Sequence, residues 1–119
     1  MVSATFFLYP RLHNLVQIAI NFVPMGKFNE IIKGNIPTLV DFYATWCGPC
    51  QTMSPILEKL KESKGVALRI LKIDVDKNPE IASKLGIRGV PTFIYYKNGQ
   101  QIWRKSGVIP LPELKQLID

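Results

Sequence analysis

The sequence predicts an α/β protein, with a mixed central β-sheet and helices on both faces. Three observations carry this. Strand-like and helix-like stretches alternate along one chain of 119 residues. Two of the strands flank a long helix, a crossover that joins parallel neighbours in a right-handed βαβ unit. The last two strands meet at Asn98-Gly99, the strongest short signal for an antiparallel hairpin.

Each element has its own reason. In "KFNEIIKGN", Phe28, Ile31 and Ile32 recur at helical spacing and Gly34-Asn35 stops the run. "IPTLVDFYA" is nearly continuously apolar and β-branched, as a central strand buried on both faces requires. "MSPILEKLKESKG" carries a stripe of Met53, Ile56, Leu57 and Leu60, with Pro55 expected to kink the helix and Gly65 to end it. "VALRILKIDV" alternates in part and reads as the next strand. "DKNPEIASKLG" is a short helix, with Asn78 the expected cap and Pro79 at the first helical position. "VPTFIYY" and "QIWRKSG" flank the hairpin turn, and "PLPELKQLID" closes the chain as a helix with Leu114, Leu117 and Ile118 apolar. From Lys27 the order is α-β-α-β-α-β-β-α.

The chain has the length of one domain and an ordinary globular composition, 47% apolar and 20% charged. Two cysteines make no disulfide framework of the small secreted kind. The net charge is +6, but basic residues are spread from Arg11 to Lys115. The tightest group, Lys59, Lys61 and Lys64, alternates with Glu58 and Glu62 as on a solvated helix face, and no aromatic-basic motif accompanies it. Nucleic acid is therefore not expected as a partner.

Residues 1–24, "MVSATFFLYPRLHNLVQIAINFVP", differ from the rest and are set apart as an atypical extension, with the domain proper at 25–119. Pro10, Arg11, His13 and Asn14 interrupt them, and "LVQIAINFV" is too short to span a bilayer. No small-x-small cleavage site marks a signal peptide. The segment reads as a packed arm, an extra strand through "QIAINF", a targeting sequence, or an extension upstream of a start at Met25.

The chemistry lies in "ATWCGPCQ". A C-x-x-C pair can be a staple, half a metal site or a redox couple. A staple over two intervening residues restrains the unfolded chain little, since even a ~15-residue loop is worth only ~3 kcal/mol. Structural zinc needs four ligands, and beyond Cys47 and Cys50 the chain offers only His13. A strand feeding into a helix whose start carries Cys47 favours a thiolate there, because unpaired N–H groups and the helix dipole stabilise an anion. Cys47 is then expected as the exposed nucleophile and Cys50, deeper in the helix, as the resolving thiol. Asp41, an acid in an otherwise apolar strand, is expected to have a raised pKa and to relay a proton.

"LVDFYA" followed by "WCGPC" resembles the thioredoxin family. The likeness covers Lys27 to Asp119 and extends to "KIDVDKNP", "GIRGVPTF", "KNG" and Gly107. It implies a thioredoxin fold and a small dithiol–disulfide oxidoreductase that reduces disulfides in protein substrates. It also implies Cys47 as attacking cysteine, Cys50 as resolving cysteine, Asp41 as the buried acid behind Cys50, and Lys72 as the lysine facing that acid. Pro91 resembles the family's cis-proline, leaving the Val90 backbone to pair with an extended substrate segment. Trp46, Gly48, Pro49, Val90 and Gly107 would complete a shallow apolar groove. No bound cofactor is implied: electrons would come from a thioredoxin reductase, with NADPH upstream.

Two departures stand out. Tyr43 occupies a position where family members often carry tryptophan, and Gln51 one where lysine commonly follows the second cysteine. Gly48-Pro49 between the cysteines resembles the reducing members, so work in the cytoplasm is expected; a monomer without stable membrane insertion is expected as well. The alternatives are an exported reductase addressed by residues 1–24, and a redox-independent binding module built on the same fold.

Overall fold

The computed structural model describes residues 19–20 and 22–119. Residues 1–18 and 21 lie outside them, and with them most of the segment read as an arm or targeting sequence. The elements are β1 (Ala19–Ile20), α1 (Met25–Lys33), β2 (Thr38–Tyr43), α2 (Gly48–Lys64), a 3-10 turn (Gly65–Ala67), β3 (Arg69–Asp74), α3 (Pro79–Lys84), β4 (Thr92–Lys97), β5 (Gln100–Ser106) and α4 (Leu111–Ile118).

They form a five-stranded sheet in the order β1-β3-β2-β4-β5. β3 runs parallel to both β1 and β2, while β4 is antiparallel to β2 and β5. The parallel β2–α2–β3 unit and the β4–β5 hairpin agree with the sequence. At the hairpin turn Asn98 and Gly99 take φ of 53° and 83°, the left-handed pair that a tight two-residue turn demands.

Strand alternation divides the core. Leu39, Ile70, Phe93 and Tyr95 point to one face, where Met53, Leu57 and Leu60 of α2 and Leu114 and Ile118 of α4 cover them. Val40, Phe42, Leu71, Ile73, Ile94 and Tyr96 point to the other, against Phe28 and Ile32 of α1 and Ile81 of α3. Every residue of β2 from Thr38 to Phe42 is buried, which explains its unbroken apolar character. Each fully buried large side chain contributes roughly 1.5–3 kcal/mol.

β1 is only two residues long and falls within "QIAINF". Just beyond it, Val23 is fully buried in the α1–α3 core, so this core takes a residue from upstream of Met25. Asn78 occupies the N-cap position of α3, but its side chain makes no cap bond there. Its Oδ1 instead accepts from the Val23 N–H at 2.7 Å and its Nδ2 donates to the Asp74 carbonyl at 3.0 Å. The expected local cap is thus replaced by a tie across 55 residues.

α2 runs from Gly48 to Lys64 through Pro55 without interruption of the helical span. At its far end the buried Lys61 donates to the Gly65 carbonyl at 2.9 Å and to the Leu68 carbonyl. Burial, with Arg69 nearby, lowers its pKa. Gly65, at φ 57°, ends the helix as its sequence position suggests.

Candidate functional site

β2 ends at Tyr43, a short turn carries Trp46, and Cys47 caps α2. Gly48 opens the helix and Pro49 sits in its first turn, where a missing N–H costs nothing. The three-residue offset brings Cys47 and Cys50 within 5.3 Å between Cα atoms, and they form a disulfide. Cys47 Sγ also accepts the Cys50 N–H at 3.1 Å, so the sulfur itself satisfies one of the helix's unpaired donors. This is the arrangement that stabilises a thiolate once the disulfide opens.

The expectation of an exposed Cys47 is not met in this oxidised form. Cys47 is 3% exposed and Cys50 8%. The two pack with Ala44 under Tyr43, Val75 and Val90, so the pair is nearly closed to solvent.

Around it, Trp46 is 71% exposed, which excludes the core role open to a tryptophan. Its indole N–H donates to Asp76 Oδ2 at 2.8 Å. Asp76 sits in the "KIDVDKNP" stretch two residues past β3, where no local sequence signal marks it as a partner of Trp46. Asp74 holds that turn, its Oδ1 accepting from the N–H groups of Asp76 and Lys77 at 2.8 and 3.3 Å. The Val90–Pro91 peptide is cis. Pro91 is buried, Val90 half-buried, and the Gly107 N–H donates to the Pro91 carbonyl at 2.9 Å. Gly107 adopts φ of 90°, a conformation that favours glycine. Val90 packs against the cysteine cluster, and Gly107 is tied to Pro91.

Asp41 lies in β2 on the α2 face, the same parity as Leu39. It is 2% exposed, and its Oδ1 accepts no hydrogen bond among the described residues. Burial pushes its pKa from 3.8 up to about 7, against a smaller downward pull from Lys72. Lys72 stands directly opposite Asp41 in β3, half-buried, with its Nζ over the Tyr43 ring at 5.0 Å. Tyr43 is itself raised in pKa by burial and by Asp74 and Asp41.

Among the described residues, no group of three or more His, Cys, Asp and Glu side chains could hold a metal ion, and no helix is long and apolar enough to cross a membrane.

A family profile for thioredoxin matches residues 20–119. The chain belongs to the thioredoxin family. It is 46% identical to chloroplastic thioredoxin Y of Oryza sativa over 95 residues, 79% of this chain and 56% of that protein. It is 44% identical to a thioredoxin of Rickettsia bellii over 91 residues, 76% of this chain and 87% of the relative. Oxidised mitochondrial thioredoxin 3 of Saccharomyces cerevisiae superposes with a TM-score of 0.75 at 37% identity, covering 85% of this chain and 92% of that one. A Trypanosoma brucei brucei thioredoxin gives a TM-score of 0.77 at 29% identity, over 88% and 93%. Thioredoxins are protein-disulfide oxidoreductases that carry no cofactor and are reset by a reductase, and the Cys47–Cys50 pair is the redox centre of that class.

Proposed function

We propose that this chain reduces disulfides in protein substrates through a reversible Cys47/Cys50 cycle. The observation that carries it is a Cys47–Cys50 disulfide formed at the start of α2, with Cys47 Sγ on the Cys50 N–H, inside a thioredoxin match. In the reduced form the Cys47 thiolate attacks one sulfur of the substrate disulfide and expels the other as a thiolate. Cys50 then loses its proton and attacks Cys47 Sγ, releasing the second substrate thiolate and closing the disulfide. Two electrons pass to the substrate, and a separate reductase, of the thioredoxin reductase class, returns them.

Asp41 takes the Cys50 proton. A carboxyl titrating at about 7 is matched to proton exchange near neutral pH, and its unpaired Oδ1 has lone pairs to offer. Lys72 tempers that acid. Trp46, Gly48 and Pro49 are exposed beside the cysteines, and with Val90, Pro91 and Gly107 they form the shallow surface a substrate strand would meet. Gly48-Pro49 between the cysteines supports work in a reducing compartment, the cytoplasm.

Reduction of insulin disulfides, with dithiothreitol as electron source, tests the cycle. The unaltered chain is expected to precipitate insulin B chain rapidly and Cys47→Ser not to exceed the background rate. Equal rates for the two would remove Cys47 as nucleophile. N-terminal sequencing of the protein from its native cell tests the compartment, since a processed, exported form would contradict it.

A further inference from the structure

Tyr43 departs from the family's usual residue and has no part in the cycle above, yet its ring touches both halves of the site. On one side it packs against the cluster of Ala44, Cys47 and Cys50. On the other it lies under Lys72 Nζ, 5.0 Å from the ring centroid, inside the ~6 Å range of cation–π attraction. Asp41 and Tyr43 share one face of β2, as Lys72 and Asp74 share that face of β3. Lys72 therefore has two acceptors within reach of its flexible stem: the carboxyl opposite it and the ring two residues on. The structure places it on the ring. Among the described residues the ion pairs are Lys64–Asp119 and Lys105–Glu113, and Asp41 Oδ1 is left without a donor.

We propose that Tyr43 is a positioning residue for the thiol–disulfide cycle, its ring seating the Lys72 ammonium and so holding the cation beside the Asp41 carboxyl instead of on it. This rests on Asp41 as the proton acceptor of the cycle. A lysine bonded to Asp41 would occupy the lone pairs the proton needs and would favour the charged carboxylate. A lysine held on the ring keeps a milder attraction. The charged and titratable groups at this end are Asp41 and Tyr43 from β2, Lys72 and Asp74 from β3, and the cysteine pair at the start of α2. β4 brings the uncharged Phe93 opposite Asp41.

The test reads the Asp41 midpoint in the oxidised full-length protein by carboxyl carbon NMR against pH. Tyr43→Leu removes the seat and is expected to lower the midpoint by about half a pH unit or more, as Lys72 moves to the carboxyl. Tyr43→Phe keeps the ring and is expected to keep the midpoint. Lys72→Met is expected to raise it, and adding Tyr43→Leu to Lys72→Met to change nothing further. An unshifted or raised midpoint in Tyr43→Leu, an equal fall in Tyr43→Phe, or a fall that persists without Lys72 would each overturn the proposal. One measurement needs no variant. In the unaltered protein the Lys72 ε-methylene protons should resonate upfield, over the ring face, and an unshifted signal would also overturn it. These readouts involve no turnover, so failure of the insulin assay and failure of the Lys72 seat are separate results.

Discussion

Asp41 and Lys72 stand directly opposite one another in the parallel pairing of β2 and β3, yet the Asp41 Oδ1 accepts no hydrogen bond among the described residues. A carboxyl so placed costs the fold stability whenever it is ionised. Its folded pKa of about 7 lies above the ordinary 3.8. Between those values the folded state binds more protons than the unfolded state, so stability falls as pH rises through that window and levels off above it. The rise from 3.8 to about 7 corresponds to about 4 kcal/mol. Asp41→Asn removes the titration. The difference in unfolding free energy between Asp41→Asn and the unaltered protein, both oxidised, should grow in the variant's favour from pH 4 to pH 7.5, as read by denaturant titration. A flat difference would contradict the buried charge.

Cys50→Ser separates the two thiols. If Cys47 attacks and Cys50 resolves, the variant can complete the first exchange but not the second. It should accumulate a mixed disulfide with a protein substrate, detectable by non-reducing electrophoresis and released by dithiothreitol. Cys47→Ser should accumulate none. Equal trapping by both variants would mean that either thiol starts the reaction.

Most of this architecture is legible in the residues, because the signals are local. "IPTLVDFYA" needs no partner to show that it is buried on both faces, and Asn98-Gly99 declares its own turn. Cys47 and Cys50 read as a redox pair from two neighbouring elements alone. What escapes is set by long-range pairing. Asn78 looks like a local cap but is committed to Val23, 55 residues away. Trp46 finds Asp76 across 30 residues, and the ring of Tyr43 acquires meaning only when β3 brings Lys72 over it. The closure of Cys47 is likewise tertiary: Tyr43, Val75 and Val90 come from three segments to cover the pair.

Trp46 presents a large exposed face beside the cysteines, steadied by its bond to Asp76. An exposed hydrogen bond contributes little to stability, so Trp46→Phe should leave unfolding within about 0.5 kcal/mol of the unaltered protein. Trp46→Ala removes the apolar surface and should raise KM for a protein disulfide by several-fold while changing kcat less. An effect confined to thermal stability would place Trp46 outside the substrate surface.

Gly99 is a position where a single methyl group should strain the backbone. Its φ of 83° is left-handed and strains any side chain, while a Cβ there would make only ordinary contact with Lys33, at 3.4 Å from Cγ and 3.7 Å from Cα. The Gly99 N–H also donates to the Ile32 carbonyl at 2.9 Å, so the turn cannot shift without losing a tie to α1. Gly99→Ala is expected to cost about 1–2 kcal/mol of stability with insulin reduction unchanged at 25 °C.

Met53 should tolerate replacement by its nearest isostere poorly, for a reason other than shape. Its Sδ accepts the buried Ile109 N–H at 3.3 Å, linking α2 to the segment that leads into α4. A volume-conserving Met→Leu exchange in a core ordinarily costs less than about 1.5 kcal/mol. Here leucine would also leave a buried N–H without an acceptor, which adds roughly 1–3 kcal/mol, toward the low end because thioether sulfur is a weak acceptor. Met53→Leu should therefore lose about 2 kcal/mol, whereas Leu57→Met, a swap in the same cluster, should stay under about 1.5. Amide exchange locates the cause: the Ile109 N–H should lose protection in Met53→Leu beyond the global loss. If Ile109 merely follows the global stability, the sulfur is packing there and nothing more.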